Sequence, residues 1–317
     1  MKRVVFLIYL LVLIFYSPLP SFAFWMWTPE TNKWENPKYS VKDTPAGQLE
    51  YAKQFYTDKD YDKAINEFNK LINHYPKARQ APEAQYYIGA SLEEQGKLYE
   101  AFKAYQMAID KYPFSDRAPE IIKKEYAIGN KLVEGKGASN VLIGTLVGNN
   151  YDVIDIYKTV IKNAPYGELA ASAQYKIGFY LQEKQLYQEA RDEFEKVVND
   201  YPESEWAKAA QYQIAFSDAK RSVDAQYDQK TTQAAVEEFK QFVQENPDAE
   251  LSDKAKGHIQ QLRDKDAENN YLVGMYYEKQ KNYKPAKIYY QSVVNDFKDT
   301  SWAGKALERL RVLGFKE

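Results

Sequence analysis

Apolar and small residues recur along this chain three and four positions apart, in blocks that repeat. The clearest block is Ala81 to Pro113, APEAQYYIGASLEEQGKLYEAFKAYQMAIDKYP. That spacing predicts two amphipathic helices joined by a tight turn. Gly89, Ala101 and Ala108 are small where two helix backbones must approach closely, and Ile88, Leu92 and Tyr105 are large enough to fill the space between helices. Pro113 ends the second helix, because proline donates no N–H and pushes Tyr112 towards extended geometry. One helix pair of this size cannot bury its apolar face alone, so the rest of the chain should hold more of them.

Setting Pro113 at position 32 puts Gly89 at 8, Leu92 at 11, Ala101 at 20, Tyr105 at 24 and Ala108 at 27. This is the tetratricopeptide (TPR) pattern, whose unit is about 34 residues. The register recurs along the chain. Repeat 1 carries Ala52, Phe55, Ala64, Phe68, Leu71 and Pro76, and repeat 4 carries Gly178, Leu181, Ala190, Phe194, Val197 and Pro202. Repeat 3 has Gly129 and Leu132, then Val153, Tyr157, Val160 and Pro165 after an inserted stretch, Gly135 to Asn150. Repeat 5 has Ala215, then Ala235, Phe239, Phe242 and Pro247, with extra residues between its helices. Repeat 6 has Gly274, Tyr277, Ala286, Tyr290 and Val293, with Lys298 in the proline position. The expected architecture is an all-α, right-handed TPR superhelix of about six helix pairs over 45–317. A last helix, Ser301 to Leu313, should close it with a polar outer face carrying Lys305, Arg309 and Arg311.

The first 44 residues are different. Lys2 and Arg3 precede an unbroken apolar run, Val4 to Tyr16, and Ser21-Phe22-Ala23 offers a small–x–small cleavage site, so residues 1–23 read as a secretory signal. Residues 24–44 form an extended aromatic arm, with Trp25, Trp27 and Trp34 as candidate membrane or partner contacts and Pro29 and Pro37 opposing a helix. An alternative is a lead-in that packs its rings on repeat 1.

Composition removes whole classes of chemistry. There is no cysteine, so thiol nucleophiles, disulfides, thiolate metal sites and a lipid-bearing cysteine are excluded from these residues. The formal charge is −2, and no basic run suggests nucleic acid. His74 and His258 are far apart and lack metal-spaced companions. Glycine-rich GKGASNVLIGTLVGNN fails as a phosphate loop, because Gly137 follows Lys136 and no strand precedes it; it reads as a surface loop tucking Val141, Leu142, Ile143 and Leu146 inward. Adjacent carboxylates such as Glu93/Glu94 diverge on a helix. The expectation is no enzyme, no cofactor and no metal.

One feature recurs more sharply. Position 5 is Tyr86, Tyr126, Tyr175, Tyr212 and Tyr271 in five repeats and Leu49 in the first, usually with an amide before it (Gln48, Gln85, Gln174, Gln211, Asn270). With Tyr56 and Phe179, these residues make a candidate concave groove for extended peptides, since aromatic rings offer rigid apolar faces. The competing reading is that the rings pack between neighbouring first helices.

The signal, the Tyr-Pro repeat ends and two segments, Thr232 to Glu250 and Leu262 to Thr300, resemble the BamD family, the TPR lipoprotein of the outer-membrane β-barrel assembly machinery. The likeness runs from Pro45 to Leu313. It implies a non-catalytic scaffold in the periplasm, at the inner face of the outer membrane. Its partners would be unfolded β-barrel substrates and a component of the assembly complex. The chain departs from that family in lacking the lipidated cysteine and in its sixth repeat. The alternatives are another envelope adaptor, like the Tol–Pal coordinating TPR protein, or a cell-wall enzyme built on a solenoid.

Overall fold

A computed structural model describes residues 25–28, 33–36, 40–138, 153–224 and 229–314. The fold is an all-α TPR solenoid, preceded by one small β-hairpin. The chain divides into two compact units, Met1–Ala118 and Pro119–Glu317. The first contains strands β1 (Met26–Thr28) and β2 (Lys33–Glu35), then α1 (Pro45–Thr57), α2 (Tyr61–His74), α3 (Ala81–Glu94) and α4 (Leu98–Lys111). The second is built from α5 (Ala118–Ala138), α6 (Val153–Asn163), α7 (Ala170–Glu183), α8 (Tyr187–Asp200) and α9 (Glu205–Asp224). It continues through α10 (Gln229–Glu245), α11 (Glu250–Lys279), α12 (Tyr283–Asp296) and α13 (Ser301–Gly314). Repeats 1 to 6 are therefore α1/α2, α3/α4, α5/α6, α7/α8, α9/α10 and α11/α12.

The turns inside repeats 1, 2, 4 and 6 share one solution. Lys59, Gly96, Gln185 and Lys281, all at position 15, have φ of 61°, 73°, 61° and 59°. Each ends a first helix in a left-handed residue. In repeat 2 the Gly96 N–H reaches the Glu93 carbonyl and the Lys97 N–H the Leu92 carbonyl, both at 2.9 Å, closing the last turn. Glycine takes this conformation without cost; Lys59, Gln185 and Lys281 adopt it with a Cβ.

The core of every repeat is one ring. Phe68, Tyr105, Tyr157, Phe194, Phe239 and Tyr290, at position 24, are each 0% exposed. Opposite each ring stands the small residue at position 8. A Cβ built on Gly89, Gly129, Gly178 or Gly274 would come within 2.6, 2.9, 2.8 and 2.8 Å of the facing ring. The expectation that these glycines let backbones touch is thus corrected: they make room for an aromatic ring. Three of the rings carry a hydroxyl, and each has an acceptor. Tyr105 donates to Glu93 (3.1 Å), Tyr157 to Asn130 (2.8 Å) and Tyr290 to Glu278 (3.0 Å). The position-4 glutamines add a clamp between the helices of a pair. Gln48, Gln85 and Gln174 are buried, and their Nε2 groups donate to the carbonyls of Glu67, Ala104 and Glu193 at 3.1, 3.1 and 3.2 Å.

Where the repeats were expected to loosen, helices lengthen instead. The extra residues of repeat 5 extend α9 to Asp224 and start α10 at Gln229. α5 runs through Ala138, so Gly135 continues a helix rather than starting a loop, while 139–152, with Val141, Leu142, Ile143 and Leu146, lie outside the described residues. The signal segment lies outside them too. α13 exposes Lys305 and Arg311 as expected of a cap, and differs in two respects. Its Arg309 turns inward to make a two-pronged bond with Glu278, and Leu307 and Val312 are 41% and 39% exposed.

Two outcomes follow from the ring-and-glycine core. Gly178→Leu should overpack Phe194 and lower stability by about 1–3 kcal/mol, read as a drop in thermal midpoint. An unchanged midpoint would contradict the packing. The second concerns alkali. Burial pushes the phenols of Tyr105, Tyr157 and Tyr290 up from their ordinary value, helped by the charges of Glu93 and Glu278 on the first and third. The folded state thus holds these protons more tightly than the unfolded one. Their stabilising effect is complete below the ordinary tyrosine value of about 10 and is lost as pH rises past it. Alkaline titration at 295 nm should show exposed tyrosines ionising first and these three ionising only with loss of helical circular dichroism.

Candidate protein-binding surfaces

The position-5 side chains do not stand free in a groove. In the N-terminal unit Leu49 is 5% exposed and Tyr86 8% exposed. The Arg117 guanidinium covers the Tyr86 ring at 4.8 Å, and the ring leans on Tyr105 at 5.7 Å. Tyr56 is half-buried against Tyr87 and Tyr61. Beside them lies a polar cleft of about 340 Å³ lined by Leu49, Glu50, Lys53, Arg79 and Glu83. Lys53 pairs with Glu83 at 2.9 Å. Burial opposes its charge, but the Glu83 hydrogen bond and charge outweigh that and hold its ammonium above the ordinary lysine value.

In the C-terminal unit the tyrosines bridge one first helix to the next. Tyr126 bonds Ser172 of α7 through its hydroxyl. Tyr175 accepts from Gln213 of α9 at 3.2 Å and packs on Phe194 and Trp206 at 5.2 and 4.9 Å. Tyr212, 7% exposed, packs on Phe239, Phe242 and His258. Tyr271 sits between Tyr290 and Trp302 at 5.3 and 5.2 Å. This geometry matches the packing alternative. The more accessible layer of the groove is the next one out, at position 9. Phe179, 38% exposed, stacks on Tyr175, and half-buried Phe216 stacks on Tyr212. Met275 holds the same position in repeat 6, in a cleft of about 310 Å³ with Tyr271, Glu278, Lys279 and Arg309. Phe216 and Met275 carried a signal the sequence reading passed over, a large apolar residue directly after the small residue at position 8.

The same holds for two turn residues. Phe114 and Tyr166, each directly after the proline that ends a second helix, are 99% and 98% exposed. Repeats 1, 4 and 5 place Lys77, Glu203 and Asp248 there.

A charged hub joins α8, α9 and α10. Arg191 on α8 bonds Asp218 (3.1 Å), Glu195 and Glu238 (3.2 Å), and Arg221 bonds Asp218 from the other side at 2.8 Å. The hub borders a cleft of about 250 Å³ that also includes Asn199, Gln211 and Glu245. Burial and the nearby Asp218 charge push the Glu238 carboxyl above its ordinary value, although Arg191 pulls it down. The histidines have no chemical role in view. His74 packs edge-on against Tyr75, and burial among Phe216 and Phe239 lowers the proton affinity of His258. Among the described residues no group of three His, Cys, Asp or Glu could hold a metal ion.

The described arm residues form the hairpin. Its strands are antiparallel, with Trp27 opposite Trp34. Trp25, Trp27 and Trp34 are 59%, 47% and 66% exposed, so they stand in solvent rather than in the core of repeat 1.

Helix pairs with this register define a TPR protein, a class whose surfaces bind other proteins. Comparison with known families agrees. TPR models match residues 50–116 and 172–204, and the YfiO model, described as an outer membrane lipoprotein, matches residues 215–313. No curated protein matches. Among solved structures the chain is similar to a TPR repeats protein from Bacteroides fragilis NCTC 9343 at 14% identity, covering 69% of this chain and 98% of that one with a TM-score of 0.45. It is also similar to a TPR protein from Parabacteroides merdae ATCC 43184 at 15% identity, covering 85% and 98% with a TM-score of 0.35. A third is YrrB, titled a TPR protein with an unusual peptide-binding site, at 16% identity, 68% and 93% coverage and a TM-score of 0.35.

The hub yields a pH-dependent outcome. A carboxyl raised in the folded state binds its proton more tightly there, so its ionisation costs stability as pH rises from the ordinary glutamate value of about 4.3. Glu238→Gln keeps an acceptor for Arg191 and removes the repulsion with Asp218. Its thermal midpoint, relative to the parent's, should be higher at pH 7 than at pH 4. A difference that does not change with pH would contradict this account.

Proposed function

We propose that this chain is an exported, non-catalytic scaffold in the assembly of β-barrel proteins into the outer membrane, working as BamD does from the inner face of that membrane. The observation that supports this most is the position of the YfiO match. It falls on 215–313, the stretch from α9 to α13 that includes the 30-residue α11. A long helix shared between two repeats is not part of the general TPR pattern, so the match reaches beyond repeat chemistry. The substrates on this reading are unfolded β-barrel segments with aromatic ends, and the partner is a component of the assembly complex.

The test is capture from crosslinked cell envelopes solubilised in detergent. Recovery of a β-barrel assembly protein supports the scaffold, and recovery of Tol–Pal components instead would favour the other adaptor reading.

The geometry also bears on where a peptide would lie. We propose that peptide contacts come from Phe179 and Phe216, with Tyr175 and Tyr212 as their backing. Aromatic contacts contribute about 0.5–1.5 kcal/mol each beyond area burial. Changing Phe179 and Phe216 together to alanine should weaken an extended aromatic-ended peptide by about tenfold to hundredfold with helicity intact. Tyr175→Ala should instead lower the thermal midpoint, because that ring packs on Phe194 and Trp206. Equal peptide affinity in the double variant would reject the position-9 surface.

A further inference from the structure

We propose that the tryptophan face of the β1–β2 hairpin lies in the headgroup layer of a lipid bilayer and holds the protein at the membrane surface. This rests on the envelope location in the reading above, but not on any partner in barrel assembly.

The hairpin brings the rings together. Antiparallel pairing sets Trp34 directly opposite Trp27, which puts both rings on one face of the hairpin, and Trp25 stands immediately before β1. All three are about half exposed or more. An isolated two-stranded hairpin is marginal in water at best, because it has no third layer to cover its apolar face. The paired, exposed indoles of Trp27 and Trp34, with exposed Trp25 just before them, therefore mark a surface that lacks its cover.

The chemistry of the face suits lipid. Indole rings favour the water–lipid boundary, where the ring is apolar and the N–H is wet. Lys33 and Glu35 flank Trp34 in β2 and Thr28 follows Trp27 in β1, so three of the four positions next to the paired indoles are polar or charged and the fourth is Met26. Such a ribbon can lie in the interface. It cannot span the bilayer, which takes strands of about 9–11 residues.

Its place in the chain points to the same occupant. The apolar run Val4 to Tyr16 ends nine residues before Trp25, so on the export reading the hairpin is the first folded element after the signal segment. The family matched by residues 215–313 is described as an outer membrane lipoprotein. None of these 317 residues is a cysteine that could carry the lipid. Below it, the Tyr75 hydroxyl donates to the Lys42 carbonyl and the Lys42 N–H to Gln48, both at 2.8 Å, fastening the arm's base to α1 and α2.

The experiment uses protein isolated from the envelope, its N-terminus fixed by intact mass. Vesicles of phosphatidylethanolamine and phosphatidylglycerol are sedimented with the parent and with a Trp25→Gln, Trp27→Gln, Trp34→Gln variant. The parent should sediment with the vesicles in high salt as in low, because ring insertion is not screened. The variant, with unchanged circular dichroism, should bind at least tenfold more weakly. Vesicles of brominated lipid should quench the parent's tryptophan emission, a readout that needs no substitution. Equal binding by the variant, or unquenched parent emission, overturns the proposal. So does an arm needed only for capturing a protein in detergent, which would make a protein its occupant. If the variant still captures an assembly protein in detergent, the scaffold reading stands whatever the vesicles show.

Discussion

Every repeat of this protein is organised by one contact, the fully buried ring at position 24 against the small residue at position 8. The ring fills the space that a helix pair alone would leave open, and it fits only because no large side chain opposes it. Gly89 and Gly274 accept a tyrosine, and that choice brings a hydroxyl into the core. The acceptors come from the same helix as the glycine, one turn further on, as Glu93 and Glu278. Glycine, tyrosine and glutamate are thus parts of one device. Ala52 with Phe68 and Ala215 with Phe239 form the simpler version, a slightly larger small residue facing a ring with nothing to satisfy.

This contact decides what the neighbouring layer can do. The position-5 tyrosines lean on the position-24 rings and, in the C-terminal unit, on the next first helix. Their area is spent on continuity from repeat to repeat, which is where a solenoid's stability resides. A ligand can use only what that packing leaves outside. The exposed ring of Phe179 and the half-buried ring of Phe216 lie over Tyr175 and Tyr212, so a rigid inner ring backs a more accessible outer one. Rigid backing lowers the ordering cost when a peptide binds.

The register was legible because small and large residues alternate with a fixed period, and a period survives substitution within each class. Other features had no such signal. The left-handed turn residue is glycine only at Gly96; Lys59, Gln185 and Lys281 give no compositional hint. The Arg191 hub draws Glu195, Asp218 and Glu238 from three helices, so no local spacing announces it. The extra residues of repeat 5 looked like a loop because the template ends its helices there. Sequence such as SDAKRSVD has no proline or glycine to stop a helix, and α9 continues to Asp224. In the arm, Trp25 and Trp27 alternate with Met26 as strand residues do, and Pro29 to Asn32 has turn character. Extended geometry was read, but the pairing partner was not, because a cross-strand pair depends on residues beyond the turn.

The C-terminal third shows how a repeat array becomes specific without new chemistry. In an ordinary array a turn separates each second helix from the next first helix, and each repeat touches only its neighbours. α11 alters that arithmetic. Its first half supplies Ala255, Ile259 and Leu262 to the core around Phe239, and its second half supplies Ala267, Tyr271 and Tyr277 to the core around Tyr290. A helix of 30 residues is about 45 Å long, so one rigid rod carries both cores where a turn would have allowed a hinge. The charged residues between the halves are used as well. Arg263 forks onto Asp299 and also reaches the Asp296 carbonyl at 2.9 Å, while Lys265 donates to the Ser222 carbonyl of α9 at 2.8 Å. Sequence that looks like a solvated helix face thereby ties α11 forward to the turn after α12 and back to α9. Bending α11 would break both sets of bonds and open two cores together, so the stability of repeat 5 is coupled to that of repeat 6 through one helix.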